Sequence, residues 1–417
     1  MNGTLLKILF LSLFLVKILI KLSLDLINYS HLKKNAGVVP VELKNLIDQE
    51  KLTRINSYNV AKIKFRLIYF LINSLILLLF LFSPLYSAYT LWLASFPIPF
   101  LLKGLCFFLI LNLIAWVLDL PFDYYFHFHI ESRYEFNQFT IGRWIVDEIK
   151  NILISSVLTT VILSIVFGIL QENFVFSWRL VFSGWALSLI LVLIFMYLMP
   201  LILIPLYYKL KTLDDQDLQQ KITELITKSG FKVRGVFMAD ESKKSSHANA
   251  MITGIGRSKT IILFDTLLNN YNNEEILAII AHEIGHGKRK HIFKLMGLVI
   301  IELFLFILFA SGLLASYLLY QAVGISKILY SGAFFAYVLF FDLLSFFVQP
   351  IFSWISRALE YEADHFSKEL LGSGEPLKSS FRKFITNELE NINPHPWYEA
   401  FYYSHPTLLK RIKALES

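Results

Sequence analysis

The stretch Ala281-His282-Glu283-Ile284-Gly285-His286-Gly287 sets two histidines four residues apart, with a glutamate directly after the first. That spacing carries chemistry only on a helix, where residues four apart lie one turn above each other on one face. The imidazoles of His282 and His286 can then share one metal ion, and Glu283 stands beside it. Zinc held by two neutral imidazoles and a carboxylate keeps an open coordination position. Water activated there is a nucleophile near neutral pH, and Glu283 is placed to take its proton and later pass it to a leaving amine. Short patterns like this also arise by accident on amphipathic helices. The preceding run, Asn273-Glu274-Glu275-Ile276-Leu277-Ala278-Ile279-Ile280, carries acids and then apolar residues, as the first turn of a helix favours.

A third ligand is needed. Six residues after His286 stands Ile292, so the ligand comes from a distant part of the chain. The candidate stretch is Arg357-Ala358-Leu359-Glu360-Tyr361-Glu362-Ala363-Asp364. Glu360 and Asp364 are one helical turn apart and can both face the first helix. Glu360 would bind zinc, and Asp364 would accept the second ring N–H of a ligand histidine and fix its tautomer. Glu362 is a rival ligand, and the whole stretch also reads as a solvated charged helix face.

The rest of the 417-residue chain must hold these groups in place, and it is built for a membrane. It is 56% hydrophobic and 17% charged, against about a quarter charged in ordinary chains. Seven segments are long and apolar enough to cross a bilayer, which takes about 20 residues: Leu5–Ile27, Leu67–Tyr86, Phe100–Leu118, Ile152–Leu170, Leu180–Tyr207, Ile292–Leu319 and Ile328–Phe352. The first has Lys17 and Lys21 late in its run and no small-residue cleavage site after it, so it reads as an uncleaved anchor. Pro200 and Pro205 would kink the fifth.

Lys33, Lys34, Lys44, Lys51, Arg54, Lys62, Lys64 and Arg66 crowd between the first two segments, whereas Ser87–Pro99, Gln171–Trp178 and Tyr320–Ser326 contain no Lys or Arg. The bias of basic residues toward the cytoplasm puts the amino terminus outside and the long hydrophilic segment Lys209–Lys290 inside. The net charge of +7 then reports cytoplasmic loops, and no nucleic-acid partner is expected. Cys106 is the single cysteine, which leaves no disulfide framework and no cysteine metal site.

Between the apolar segments, residues 41–52 suggest a short helix, and Leu213–Ser229 an amphipathic helix capped near Asp214 and ended by Gly230. Lys232–Ala239, His247–Thr253 and Thr260–Phe264 are short β-like runs, the last two joined as a hairpin. Ser246-His247-Ala248-Asn249-Ala250 is either a solvated turn and strand start or an edge that pairs with an extended peptide. His127 and His129 alternate with phenylalanines and read as interfacial or hydrogen-bonded residues ahead of ligands. The fold class is mainly α: a polytopic membrane protein with a cytoplasmic-side helical protease region and a small sheet. Its parts are residues 1–207, with five spans, 208–291, with the sheet and the metal-binding helix, 292–352, with two spans, and 353–417, with the third ligand.

On these motifs the chain resembles the type I CAAX prenyl proteases, integral-membrane zinc endopeptidases. The resemblance rests on the seven spans, the HExxH motif before the sixth and Glu360-Tyr361-Glu362-Ala363-Asp364 after the seventh. It extends to Ser246–Ala250 and to Tyr403-Ser404-His405-Pro406-Thr407-Leu408-Leu409-Lys410-Arg411. It implies zinc on His282, His286 and Glu360, Glu283 as base, and Asn249 and Ala250 gripping substrate backbone by strand addition. It implies too that His405 and Arg411 stabilise the oxyanion or position the site; read alone, they are a loop histidine and a basic carboxyl-terminal residue. The family's helices enclose a chamber within the membrane, and its substrates are proteins with a prenylated carboxyl-terminal cysteine. The expected membrane is the endoplasmic reticulum or nuclear membrane in a eukaryote and the inner membrane in a bacterium. In a bacterium, membrane-protein quality control without a prenyl requirement is the alternative. A transporter, suggested by seven spans and proline-broken helices, and a scaffold with structural zinc are readings of another class. Glu283 argues against the scaffold, since a structural site has no use for a base.

Overall fold

The computed structural model describes residues 2–40, 43–44, 46–169, 175–325 and 330–416. Long helices dominate its first half: α1 (Gly3–Lys34), α2 (Gln49–Phe82), α3 (Pro84–Ala94), α4 (Phe100–Tyr125), α5 (Ile141–Ile169), α6 (Trp178–Leu198) and the short α7 (Ile204–Tyr207). A compact unit follows, with β1 (Leu210–Lys211), α8 (Gln216–Ser229), β2 (Gly235–Ala239), β3 (Ala250–Thr253), β4 (Thr260–Phe264), α9 (Asp265–Asn270) and α10 (Asn273–Lys288). The chain then runs through α11 (His291–Ala315), α12 (Leu318–Val323), α13 (Tyr330–Leu371), α14 (Glu375–Asn387), α15 (Pro396–Tyr402) and α16 (Leu408–Glu416).

Among the described residues, six helical stretches are long and apolar enough to cross a membrane: Gln49–Phe82, Phe100–Glu131, Ile141–Gly168, Trp178–Tyr207, His291–Ala315 and Tyr330–Leu371. The 32-residue α1 packs against α2, α12 and α13 and completes the bundle. Its outer surface suits lipid: on α5, Leu153 and Val157 are 60% and 62% exposed, which in water would be an unfavourable display of apolar area. Between the helices lies an apolar and aromatic core, with a few polar pairs beside it. Lys17 pairs with Asp342 at 3.0 Å, and Tyr69 donates to Asp119 at 3.0 Å. Two adjoining cavities of about 630 and 910 Å³ lie among these helices and share Arg66, Tyr69 and Asp119 in their walls.

Several expected boundaries move. The second span ends at Phe82, because Ser83 caps a new helix whose first residue is Pro84; proline suits that position, where its missing N–H costs nothing. The loop expected at Ser87–Pro99 is therefore mostly α3. Of the short helix expected at 41–52, Val41, Glu42 and Asn45 lie outside the described residues, and from Gln49 onward it is α2. Leu170 and Ile328, expected at span ends, also lie outside them. α8 is capped by Asp215 in place of Asp214, and it ends, as expected, at Gly230 in the left-handed conformation. The seventh span continues past Phe352 without a break, so α13 carries both membrane-spanning residues and the Glu360–Asp364 stretch.

The sheet has the order β1-β2-β4-β3. β2 and β4 are parallel, and the expected hairpin is present, with β3 antiparallel to β4 in the register Ala250↔Leu263 to Thr253↔Thr260. β3 is thus an edge strand, and β4 is buried throughout. The sheet packs through Ile261 and Leu263 onto an apolar core with Ile276, Ile280 and Ile284 of α10.

Candidate metal centre and active-site cleft

α10 starts where its sequence directs. Asn272 Oδ1 accepts from the Glu275 N–H at 2.9 Å, and the Glu275 carboxylate accepts from the Asn272 N–H at 2.9 Å, satisfying two of the donors a helix start leaves free. The apolar face holding Ile276, Ile280 and Ile284 goes into the core. The adjacent face carries His282, Glu283 and His286 to a cleft of about 750 Å³. Gly285 lets α13 come close: a Cβ there would stand 3.2 Å from the backbone of Ala363 and from Phe366 Cβ. Ser367 on α13 also donates to the Ala278 carbonyl at 2.9 Å. This crossing brings Glu360 opposite the two histidines.

His282 Nε2 and His286 Nε2 are 3.1 Å apart. Glu360 Oε1 lies 3.2 Å from His286 Nε2, and Oε2 lies 3.5 Å from His282 Nε2. One ligand atom from each residue falls within 4.8 Å of the others. Glu360 Oε2 is buried and accepts no hydrogen bond; its charged neighbour is the Arg411 guanidinium. Two imidazole nitrogens and a carboxylate fit a first-row divalent metal. Glu362, the rival ligand, turns away to His291 at 3.1 Å and Lys294 at 2.7 Å.

Asp364 Oδ1 is 2.9 Å from His282 Nδ1. An N–H donated there aims Nε2 at the metal position, as the nitrogen whose proton a metal would displace. Burial pushes the His282 ring down, yet its bonds to Asp364 and Glu360 outweigh that and carry it up to about 9; the same negative surround favours a cation. Arg411 is buried, stacks over Phe381 at 4.3 Å, forks onto Asp364 and reaches Glu360 Oε2 at 3.2 Å. His405 Nε2 lies 3.3 Å from Glu360 Oε1, with 62% of its side chain exposed.

Asn249 and Ala250 line the same cleft as Glu283 and His405. The Phe264 N–H bonds the Asn249 carbonyl at 3.1 Å, so the alternation of an antiparallel pair turns the Ala250 N–H and carbonyl outward. Asn249 Oδ1 occupies that N–H at 2.8 Å. His127 and His129 stay away from the centre: His127 faces Asp123 at 3.5 Å, and His129 stacks on Tyr125.

Sequence reasoning missed His291. Lys290 adopts a left-handed backbone, φ 56°, between α10 and α11. The turn folds His291 Nδ1 back to 2.9 Å from His286 Nδ1. His291 thus orients His286 much as Asp364 orients His282. The adjacent Arg289-Lys290-His291 gives no hint of it, because the contact depends on one backbone angle.

Known proteins share the sequence and fold of this chain. Residues 212–417 match the model of Peptidase family M48, and residues 28–209 match that of the CAAX prenyl protease N-terminal region, described as five membrane helices. The chain is 31% identical to CAAX prenyl protease 1 of Saccharomyces cerevisiae, over 91% of this chain and 88% of that one. It is 32% identical to the CAAX prenyl protease 1 homolog of Arabidopsis thaliana, over 91% and 90%. The crystal structure of S. mikatae Ste24p superposes with a TM-score of 0.90 at 29% identity, covering 99% of both chains. The chain is a multi-pass membrane metalloprotease, and it belongs to the CAAX prenyl protease 1 family within the M48 peptidases.

Proposed function

We propose that the protein is a zinc endopeptidase that removes the carboxyl-terminal residues after a prenylated cysteine. The observation that carries this reading is the convergence of His282, His286, Glu360 and Glu283 in one cleft, with the outward edge of Ala250 on its rim. His282, His286 and Glu360 would hold the zinc, which when bound would supply a Lewis acid to polarise the scissile carbonyl and acidify water.

The remaining steps belong to the chain's own groups. The substrate backbone adds as a strand to β3, displacing Asn249 Oδ1 from the Ala250 N–H and taking that N–H and the Ala250 carbonyl. Glu283 receives the proton of the attacking water on its carboxylate and delivers it to the amine as the C–N bond breaks. His405, exposed in the cleft wall, meets the negative charge that develops on the carbonyl oxygen. Arg411 acts at one remove: its guanidinium is committed to Asp364 and Glu360 and positions both. The site faces the cytoplasm, in keeping with the basic segment between the first two spans.

Cleavage of a farnesylated and an unmodified CAAX peptide by purified protein in detergent, with products identified by mass, tests the reading. Loss of the last three residues from the lipidated peptide alone is expected. Equal cleavage of both removes the prenyl requirement and supports quality-control proteolysis.

A further inference from the structure

A second cluster of titratable groups lies outside the metal centre and is tied to the rim of its cleft. His247 Nε2 donates to Glu131 Oε2 at 3.0 Å, and its Nδ1 bonds Glu388 Oε2. The other oxygens of both acids are used too. Glu131 Oε1 accepts from the Tyr58 hydroxyl at 2.7 Å, and Glu388 Oε1 accepts from the Ala248 N–H at 3.0 Å. The ring stacks on Phe136 with centroids 4.2 Å apart. Burial pushes the imidazole down, but the two carboxylates outweigh it and raise it to about 9. Two carboxylates on either side of one imidazole favour its charged form.

The acids come from separate parts of the fold. Glu131 ends the π-helical turn that continues α4, and Glu388 follows α14. The backbone around the cluster is clamped as well. Ser246 N–H donates to the Phe136 carbonyl at 3.0 Å, Gln138 N–H to the Lys244 carbonyl at 2.9 Å, and Asn137 bridges Ser245. Three non-glycine residues have positive φ among the described residues, and two of them flank this clamp: Glu135 at 68° and Leu389 at 50°. Leu389 is held there by a buried side chain and by Asn59, which donates to its carbonyl at 2.9 Å. Such conformations are unfavourable for a side-chain-bearing residue and persist where the surroundings over-determine them.

The clamped backbone is the lead-in to the cleft rim. Ala248 precedes Asn249 and Ala250, and the chain after Leu389 returns to the cleft with Glu390, Asn391 and Ile392 in its wall. We infer that His247 is a positioning residue for substrate: clasped by Glu131 and Glu388, it fixes Ala248–Ala250 so that the outward edge of β3 meets a peptide in register with Glu283. A free β3 edge would have to be ordered by each incoming peptide, and a rigid one needs no such ordering. The inference rests on the strand-addition reading above. It predicts an effect on peptide capture and none on metal binding.

His247→Gln and Glu388→Gln remove the ion pair while leaving hydrogen-bonding groups in place. Amide hydrogen exchange of the zinc-loaded protein in detergent reads the clamp without any turnover. Faster exchange over residues 245–250 is expected in both variants, and unchanged exchange overturns the clamp. Steady-state cleavage of a farnesylated CAAX peptide reads its purpose. KM should rise about tenfold with kcat within about twofold and zinc content unchanged. An unaltered KM in a folded variant with loosened exchange would show a merely structural ion pair and overturn the inference. If wild-type protein cleaved no peptide, the proposed function would fall, whereas the exchange result would still decide the clamp.

Discussion

Arg411 holds Asp364 through two parallel hydrogen bonds, Nε to Oδ2 at 2.8 Å and Nη2 to Oδ1 at 2.6 Å. Asp364 accepts from His282 with the same Oδ1. A cation, an anion and a metal-facing imidazole are thus locked in series, 47 residues apart in the chain between Arg411 and Asp364. Asp364→Asn keeps the shape but loses the charge, and it should weaken metal retention about 10- to 100-fold. Metal content after dialysis measures this, and wild-type retention would remove Asp364 from the role of orienting His282. Arg411→Lys should also impair the site, since an ammonium cannot reproduce the two-pronged contact.

His291 is expected to do for His286 what Asp364 does for His282. Its ring lies between His286 and Glu362, so His291→Ala should lower metal affinity about tenfold. Competition with a zinc chelator checks this, and an affinity equal to wild type would mean His286 needs no support.

The approach of α10 to α13 is set by Gly285. A valine there brings methyl groups against the backbone of Ala363 and the Phe366 side chain, both only 3.2 Å from where its Cβ would sit. Overpacking of this kind costs about 1–3 kcal/mol, and it also pushes Glu360 away from the histidines. Gly285→Val should therefore lower the thermal midpoint and lose metal together. Loss of stability with full metal retention would show that the crossing distance does not set the ligand geometry.

His247 gives the pH dependence its sign. Its imidazole is raised in the folded protein to about 9, above the usual value of about 6.5. The stabilisation is fully present below about pH 6.5 and is lost as pH rises through about 9. Because 36% of the side chain is exposed, solvent screening reduces the contribution to roughly 1–2 kcal/mol. Unfolding midpoints of wild type and His247→Gln should converge as pH rises across that window. A constant gap between them would contradict the assignment.

The candidate metal-binding helix was legible because its chemistry and its periodicity coincide: His282, Glu283 and His286 fall on one helix, and the acids Glu274 and Glu275 mark its first turn. Glu360 and Asp364 were legible as a pair one turn apart, with the resemblance choosing Glu360 over Glu362. The structure supplies the physical reason, since Glu362 is occupied by His291 and Lys294. The continuity of α13 was hidden because apolarity fades after Phe352, although nothing there stops a helix. The partners of His247 were hidden for a different reason. Glu131 and Glu388 lie 116 and 141 residues away, and a charge in a sequence does not name its partner.

The most direct test of the account is Glu283→Ala, assayed for bound zinc and for peptide cleavage in the same preparation. Glu283 lines the cleft beside the His282, His286 and Glu360 cluster without belonging to it. The account predicts zinc at the wild-type level with cleavage reduced by at least about 100-fold, the usual scale for loss of a general base. Turnover at the wild-type rate with zinc bound would contradict it.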